Sequence, residues 1–162
     1  MNEKKSNESP QSSSSVNKKL NEFEDFISCL EAEIEAKNQA DFSPHALFLA
    51  DHPYHYQIPE NADKMVQKEW RGPCGDSVRW YLDIHDGILK NAFYTTDGCT
   101  TASIASSQTA MLVENLPLEK VRQITDKKVL EALGKFPQED WHCATLAVTA
   151  LQLTLDKYQR RN

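Results

Sequence analysis

No stretch of this chain approaches the roughly 20 consecutive apolar residues that a bilayer-spanning helix needs, and its first residues lack the hydrophobic core of a secretory signal. A mitochondrial presequence is equally poorly supported, because residues 1–16 contain Glu3 and Glu8 and no arginine. The expectation is a soluble, cytoplasmic protein with no membrane partner. Basic residues are sparse as well: 18 Lys and Arg stand against 24 Asp and Glu, for a formal net charge of -6. The basic runs are pairs such as Lys18-Lys19 and Arg160-Arg161. These are too short to track a phosphate backbone, so nucleic acid is not expected as a partner. Cysteines number four, far fewer per residue than in a disulfide-stapled miniprotein. In a reducing compartment they read as thiols or metal ligands.

What is present fits one domain: 162 residues, 40% of them apolar, can bury a modest core once flexible segments are subtracted. Residues 1–16 are nearly all polar and are expected to form a disordered tail. Over 17–40, Leu20, Phe23, Phe26, Ile27, Leu30 and Ile34 recur at steps of three and four, predicting an amphipathic helix with Cys29 on its flank as a structural thiol. Residues 41–62, with Pro44, Pro53 and Pro59, read as an irregular connection. His52 and His55 within it read as packing or surface residues rather than a metal pair.

Val78, Trp80, Leu82 and Ile84 then alternate with polar or amphipathic residues, the period of a strand with one buried face. Asp86-Gly87 supplies a two-residue hairpin turn. Pairing across it is expected to set Ile84 opposite Leu89, Trp80 opposite Phe93 and Asp83 opposite Lys90. A segment around Met65 to Arg71 offers a third strand. Helical patterns follow from Cys99 to Asn115, from Leu118 to Leu133 with a break near Thr125, and from about Gln138 to Gln159. The expected fold is α+β: a small three-stranded antiparallel sheet, with its central hairpin at 77–96, packed against C-terminal helices.

Three cysteines sit at the ends of these elements. Cys74 and Cys99 flank the hairpin, and a hairpin returns its chain to where it began, so the two must share one end of the sheet. Cys143 opens the last helix, where free amides favour a thiolate. Asp76 adds an oxygen two residues after Cys74, and His142 places an imidazole beside Cys143. Three thiolates, one imidazole and one carboxylate suit either zinc or an iron-sulfur cluster. A non-thiolate ligand makes such a cluster site more exchangeable than the usual four thiolates. A metal-free Cys-His hydrolase is a poor reading, since adjacent helical residues point in different directions.

Singly these motifs are weak, but their order and spacing are specific. From Gly72 to Tyr158 the chain resembles the NifU N-terminal or IscU family of iron-sulfur cluster assembly scaffolds. The resemblance lies in Gly-Pro-Cys-Gly-Asp (72–76), Gly98-Cys99 followed by an Ala-Ser-rich helix, and His142-Cys143, with Pro59-Glu60-Asn61 similar to the family's Pro-x-Asn signature. It implies a scaffold domain over 41–162 with the SufE/NifU-like fold, preceded by an extra N-terminal helix. The implied protein is a carrier rather than an enzyme. It would receive persulfide sulfur from a cysteine desulfurase, build a labile two-iron two-sulfur cluster, and pass it to recipient apoproteins, as a monomer or a cluster-bridged homodimer. Zinc is expected in the cluster-free form. Cys74, Asp76, Cys99, His142 and Cys143 are the implied ligands, with Asp76 controlling release.

Two rivals share the site. One is a zinc-dependent sulfurtransferase of the SufU type, although that group usually has Arg where His142 stands and an insertion before the last helix. The other is a structural zinc site in an interaction module. The chain also departs from the family where Phe136-Pro137-Gln138-Glu139-Asp140 replaces a Leu-Pro-Pro-Val-Lys segment recognised by a dedicated Hsp70-type chaperone. This implies independence from that chaperone. Residues 1–40 have no counterpart in the family.

Overall fold

The structure is a computed structural model that describes residues 12–161. The tail expected over 1–16 therefore lies, for residues 1–11, outside the described residues. Helix α1 (Ser12–Asp41) begins five residues before the expected start at residue 17. The chain divides between Ala40 and Asp41 into two compact units. Among the described residues no helix is long and apolar enough to cross a membrane.

The first correction to the expected fold comes at once, because Pro44–Asp51 forms helix α2 rather than an irregular connection. The prolines do not oppose this helix, because none lies in its interior. Pro44 occupies the first turn, where no amide hydrogen is needed, and Ser43 caps the start by accepting from the Ala46 amide at 3.0 Å. Pro53 falls just beyond the C-terminus. His52 and His55 separate: His52 stacks on Phe48, whereas His55 Nδ1 lies 2.7 Å from Glu114 Oε1.

A four-stranded antiparallel sheet follows, in spatial order β1 (Val66–Arg71), β2 (Ser77–His85), β3 (Ile88–Thr96) and β4 (Leu116–Pro117). The strand missed is β4, two residues long and too short to carry any period. The β2-β3 turn is as expected, Asp86 and Gly87 both having positive φ, 50° and 73°, as a type I′ turn requires. Its register holds for Ile84 opposite Leu89, but an irregularity at Asp83/Ile84 puts one extra residue into β3. Beyond it Asp83 pairs with Asn91, not Lys90, and Trp80 with Tyr94, not Phe93. This bulge keeps Leu89, Ala92 and Tyr94 all fully buried.

Helices α3 (Thr100–Val113) and α6 (Trp141–Gln159) pack against the sheet and each other. The small α3 residues Ala102, Ala105 and Ser106 are completely buried and permit close approach. Trp80, also fully buried, donates its indole N–H to the Ala147 carbonyl of α6 at 3.0 Å. Tyr94 fixes α3 through hydroxyl contacts of 2.9 Å to the Ser103 carbonyl and 2.7 Å to Ser107. The expected break near Thr125 separates α4 (Leu118–Val121) from α5 (Asp126–Leu133), whose first turn Thr125 caps. Sheet, α3 and α6 thus share one core, with Cys74 and Cys99 exposed at its edge and Cys143 buried within it.

Candidate functional site

Cys74 occupies the tip of the turn joining β1 to β2. That turn closes through Gly72 N to Asp76 O at 2.9 Å and Gly75 N to Gly72 O at 3.0 Å. Gly75 has φ +94°, a conformation that strains any L side chain, so a glycine is required there. The tight reversal leaves Cys74 exposed.

The second turn, Asp97 to Cys99, is fastened to the first by a residue that sequence reasoning passed over. Asp97 Oδ1 accepts from the Ser77 amide at 2.6 Å, and its Oδ2 accepts from Arg71 at 2.7 Å. Arg71 in turn donates to the Gly75 carbonyl. Hydrogen bonds from Ser77, and then Arg71, hold the Asp97 carboxyl down at about 2. The two turns also touch directly: a Cβ built on Gly98 would lie 2.9 Å from Asp76 Oδ2. Cys99 is the N-cap of α3 and is exposed.

Cys143, at the third position of α6, is only 1% exposed. The expectation that the helix N-terminus would favour its thiolate fails. Burial pushes this thiol up to about 12, with Cys99 and Asp140 adding to the rise and only the Thr101 hydroxyl opposing it. Thr101 is a second residue the sequence did not reveal. Its hydroxyl lies 2.9 Å from Cys99 Sγ and 3.5 Å from Cys143 Sγ, bridging two thiols 44 positions apart in the chain.

His142 is exposed, with Nδ1 at 2.8 Å from the Glu139 carbonyl and Nε2 at 3.7 Å from Cys143 Sγ. A carbonyl only accepts, so Nδ1 carries the proton and Nε2 presents its lone pair towards the sulfur. Asp140 joins them: single ligand atoms of Asp140, His142 and Cys143 all fall within 4.8 Å of one another. On the other side of His142 a cavity of ≈ 240 Å³ is shared with Cys74 and walled by Trp70 and Leu146.

All five predicted residues therefore gather at one end of the domain. Cys99, Thr101, Cys143 and His142 form a contact chain, Cys74 meets His142 across the cavity, and Asp76 rests against Gly98. Cys29, by contrast, lies on α1 and is exposed rather than half-buried, 4.0 Å from Glu33. The site offers soft sulfur, imidazole nitrogen and carboxylate oxygen on an open surface, a donor set able to hold iron or zinc without closing around it.

Residues 43–162 match the family model described as NifU-like N terminal domain. The chain is 31% identical over 113 residues to iron-sulfur cluster assembly scaffold protein IscU 1 of Archaeoglobus fulgidus, covering 67% of this chain and 74% of that one. It is 28% identical over 89 residues to nitrogen fixation protein NifU of Nostoc sp., covering 53% of this chain and 29% of that longer protein. Among solved structures, the N-terminal NifU-like protein of Brucella abortus superposes with a TM-score of 0.56 at 15% identity, over 74% of this chain and 95% of that one. A protein assigned to the SUF system of Fervidobacterium islandicum gives 0.57 at 11% identity, over 70% and 96%. These two likenesses concern the fold, whereas the family match spans the entire candidate site: the chain belongs to the NifU-like N-terminal domain family.

Proposed function

We propose that this protein is an iron-sulfur cluster assembly scaffold, in which Cys74, Cys99 and Cys143 receive sulfur and ligate iron while His142 and Asp76 complete the coordination. The observation that carries this reading is the convergence of three thiols, an imidazole and a carboxylate from three separate elements onto one open end of the domain. A site of that kind can load and unload; a structural zinc site is closed.

Sulfur arrives as the outer atom of a persulfide on a cysteine desulfurase. A scaffold thiolate attacks that atom, and the desulfurase thiolate leaves. A low-molecular-weight thiol or an electron carrier then supplies the two electrons that reduce it to sulfide. The product is a labile two-iron two-sulfur cluster, passed to recipient apoproteins. Asp76, against Gly98, the residue that precedes Cys99, is the ligand whose exchange governs release.

One observation favours a second reading: Asp140, His142 and Cys143 alone could seat zinc, leaving Cys74 or Cys99 free to take sulfur as a SufU-type transferase does. Anaerobic reconstitution with ferrous iron, cysteine and a cysteine desulfurase separates the two. A scaffold develops a visible chromophore with matching iron and sulfide, loses it in Cys99→Ser, and transfers it to an apo-ferredoxin. Tightly held zinc, persulfide on one cysteine and no chromophore would replace this reading with the transferase.

A further inference from the structure

Helix α1 carries an apolar seam that none of the cluster chemistry uses. Val16, Leu20, Phe23, Ile27, Leu30 and Ile34 follow one another at alternating steps of four and three residues on one uninterrupted helix. This is the a/d spacing of a two-stranded coiled coil, with polar Asn21, Glu22, Asp25 and Ser28 on the outer face. Five of the six seam residues are exposed, from 38% at Leu30 to 62% at Val16. A contiguous apolar strip of this kind marks an interaction surface.

The geometry points to a second copy of this chain as the occupant, with its α1 antiparallel to the first. Charge along the helix is uneven: Lys18 and Lys19 lie towards one end, Glu31, Glu33 and Glu35 followed by Lys37 towards the other, with Glu22, Glu24 and Asp25 between them. A parallel pair stacks the acidic ends together, whereas an antiparallel pair sets each basic end against an acidic one and opposes the helix dipoles. The seam is symmetric about residue 25. Antiparallel pairing therefore places Leu20 against the partner's Leu30, Ile27 against the partner's Phe23, and Val16 against the partner's Ile34, filling every layer. On the flanks Lys19 meets the partner's Glu33, and Phe26, 58% exposed on one chain, meets its own counterpart. The one unfavourable contact is Glu24 facing the partner's Glu24.

This interface needs no metal, so it stands or falls apart from the scaffold reading. The test is sedimentation equilibrium of the full-length, metal-free protein in chelator, from micromolar to millimolar concentration. Twice the monomer mass is expected at the upper end, and a monomer throughout would overturn the proposal. Ile27→Lys should abolish association while leaving cluster reconstitution intact; a dimer surviving that change would also overturn it. Glu24→Gln tests orientation independently. It removes the like-charge contact and should tighten the antiparallel dimer severalfold, whereas weakening would mean loss of a Lys19 pair in a parallel dimer and would overturn the arrangement.

Discussion

Gly98→Ala probes the contact on which the site's architecture depends. The added Cβ would sit 2.9 Å from Asp76 Oδ2, 3.1 Å from Asp76 Cβ and 3.0 Å from Ala102 Cβ. Rotating the carboxylate relieves only the first of these. The second needs the Asp76 backbone to move, and the third lies against α3, where Ala102 is fully buried. Overpacking of this kind costs about 1 to 2 kcal/mol, which for a domain of this size lowers Tm by roughly 4 to 8 °C. The local consequence should be larger than the global one, because the turn bearing Cys74 and Asp76 is forced away from Cys99. Differential scanning calorimetry reads the stability, and iron and sulfide analysis after anaerobic reconstitution reads the site. A folded Gly98→Ala protein with a small Tm loss and severely reduced cluster yield is expected. An unchanged Tm together with unchanged cluster yield would show that the two turns do not press on each other as described.

Four further tests follow from the same geometry. Thr101→Val removes the hydroxyl between Cys99 and Cys143; at about 1 kcal/mol per hydrogen bond the half-life of a bound cluster should fall roughly fivefold, with Thr101→Ser restoring it, as followed by visible absorption during chelator challenge. In the metal-free protein, iodoacetamide should label exposed Cys74 and Cys99 before buried Cys143, read by peptide mass spectrometry. The raised Cys143 thiol favours the folded state below its unfolded value of 9.0, and this contribution is lost as pH climbs towards about 12, so Cys143→Ala should flatten the alkaline limb of the stability curve. Asp97 behaves oppositely: its lowered value contributes stability above 3.8 that disappears as pH falls towards about 2, and Asp97→Asn should flatten the acid limb of urea-denaturation midpoints.

Much of this candidate site is legible because its residues sit at element boundaries that have strong local signals. The Asp86-Gly87 turn alone brings Cys74 and Cys99 to one end of the sheet, whatever the details of register. The register itself was misread beyond the turn because an extra residue in β3 leaves no mark on composition; Phe93 and Tyr94 are equally good strand residues, and only packing against Trp80 decides which faces inward. Helix α2 was missed because its prolines were weighed as a group, when Pro44 after a Ser43 cap is a helix start. Thr101, Asp97 and Asp140 act through partners in other elements or through side-chain direction, and no spacing rule ranks one threonine or aspartate above the rest. The Ser-Thr richness after Cys99 was the only signal pointing towards Thr101. For Cys143 the helix-terminus effect was correctly located but outweighed: a partial charge at a helix end is worth about 1 kcal/mol, less than the desolvation that dominates a thiol 1% exposed.

That burial makes the three thiols unequal, and the inequality fits the order of events a scaffold needs. Cys74 on its turn and Cys99 at its helix cap are open to a bulky sulfur donor. Cys143 is neither accessible nor readily deprotonated, so it is a poor first acceptor. A metal ion changes this, because coordination displaces the thiol proton outright. His142 Nε2 lies 3.7 Å from that same sulfur, and Asp140 lies within 4.8 Å, so a cation captured by those two groups would arrive beside the one thiol that only a cation can activate. Proton release would then accompany loading, and the reverse protonation of Cys143 would favour unloading. A pocket of three equally exposed thiolates would hold its cargo without such a return path. On the scaffold reading proposed above, the buried cysteine would supply both a ligand and a reason for the bond to be given up.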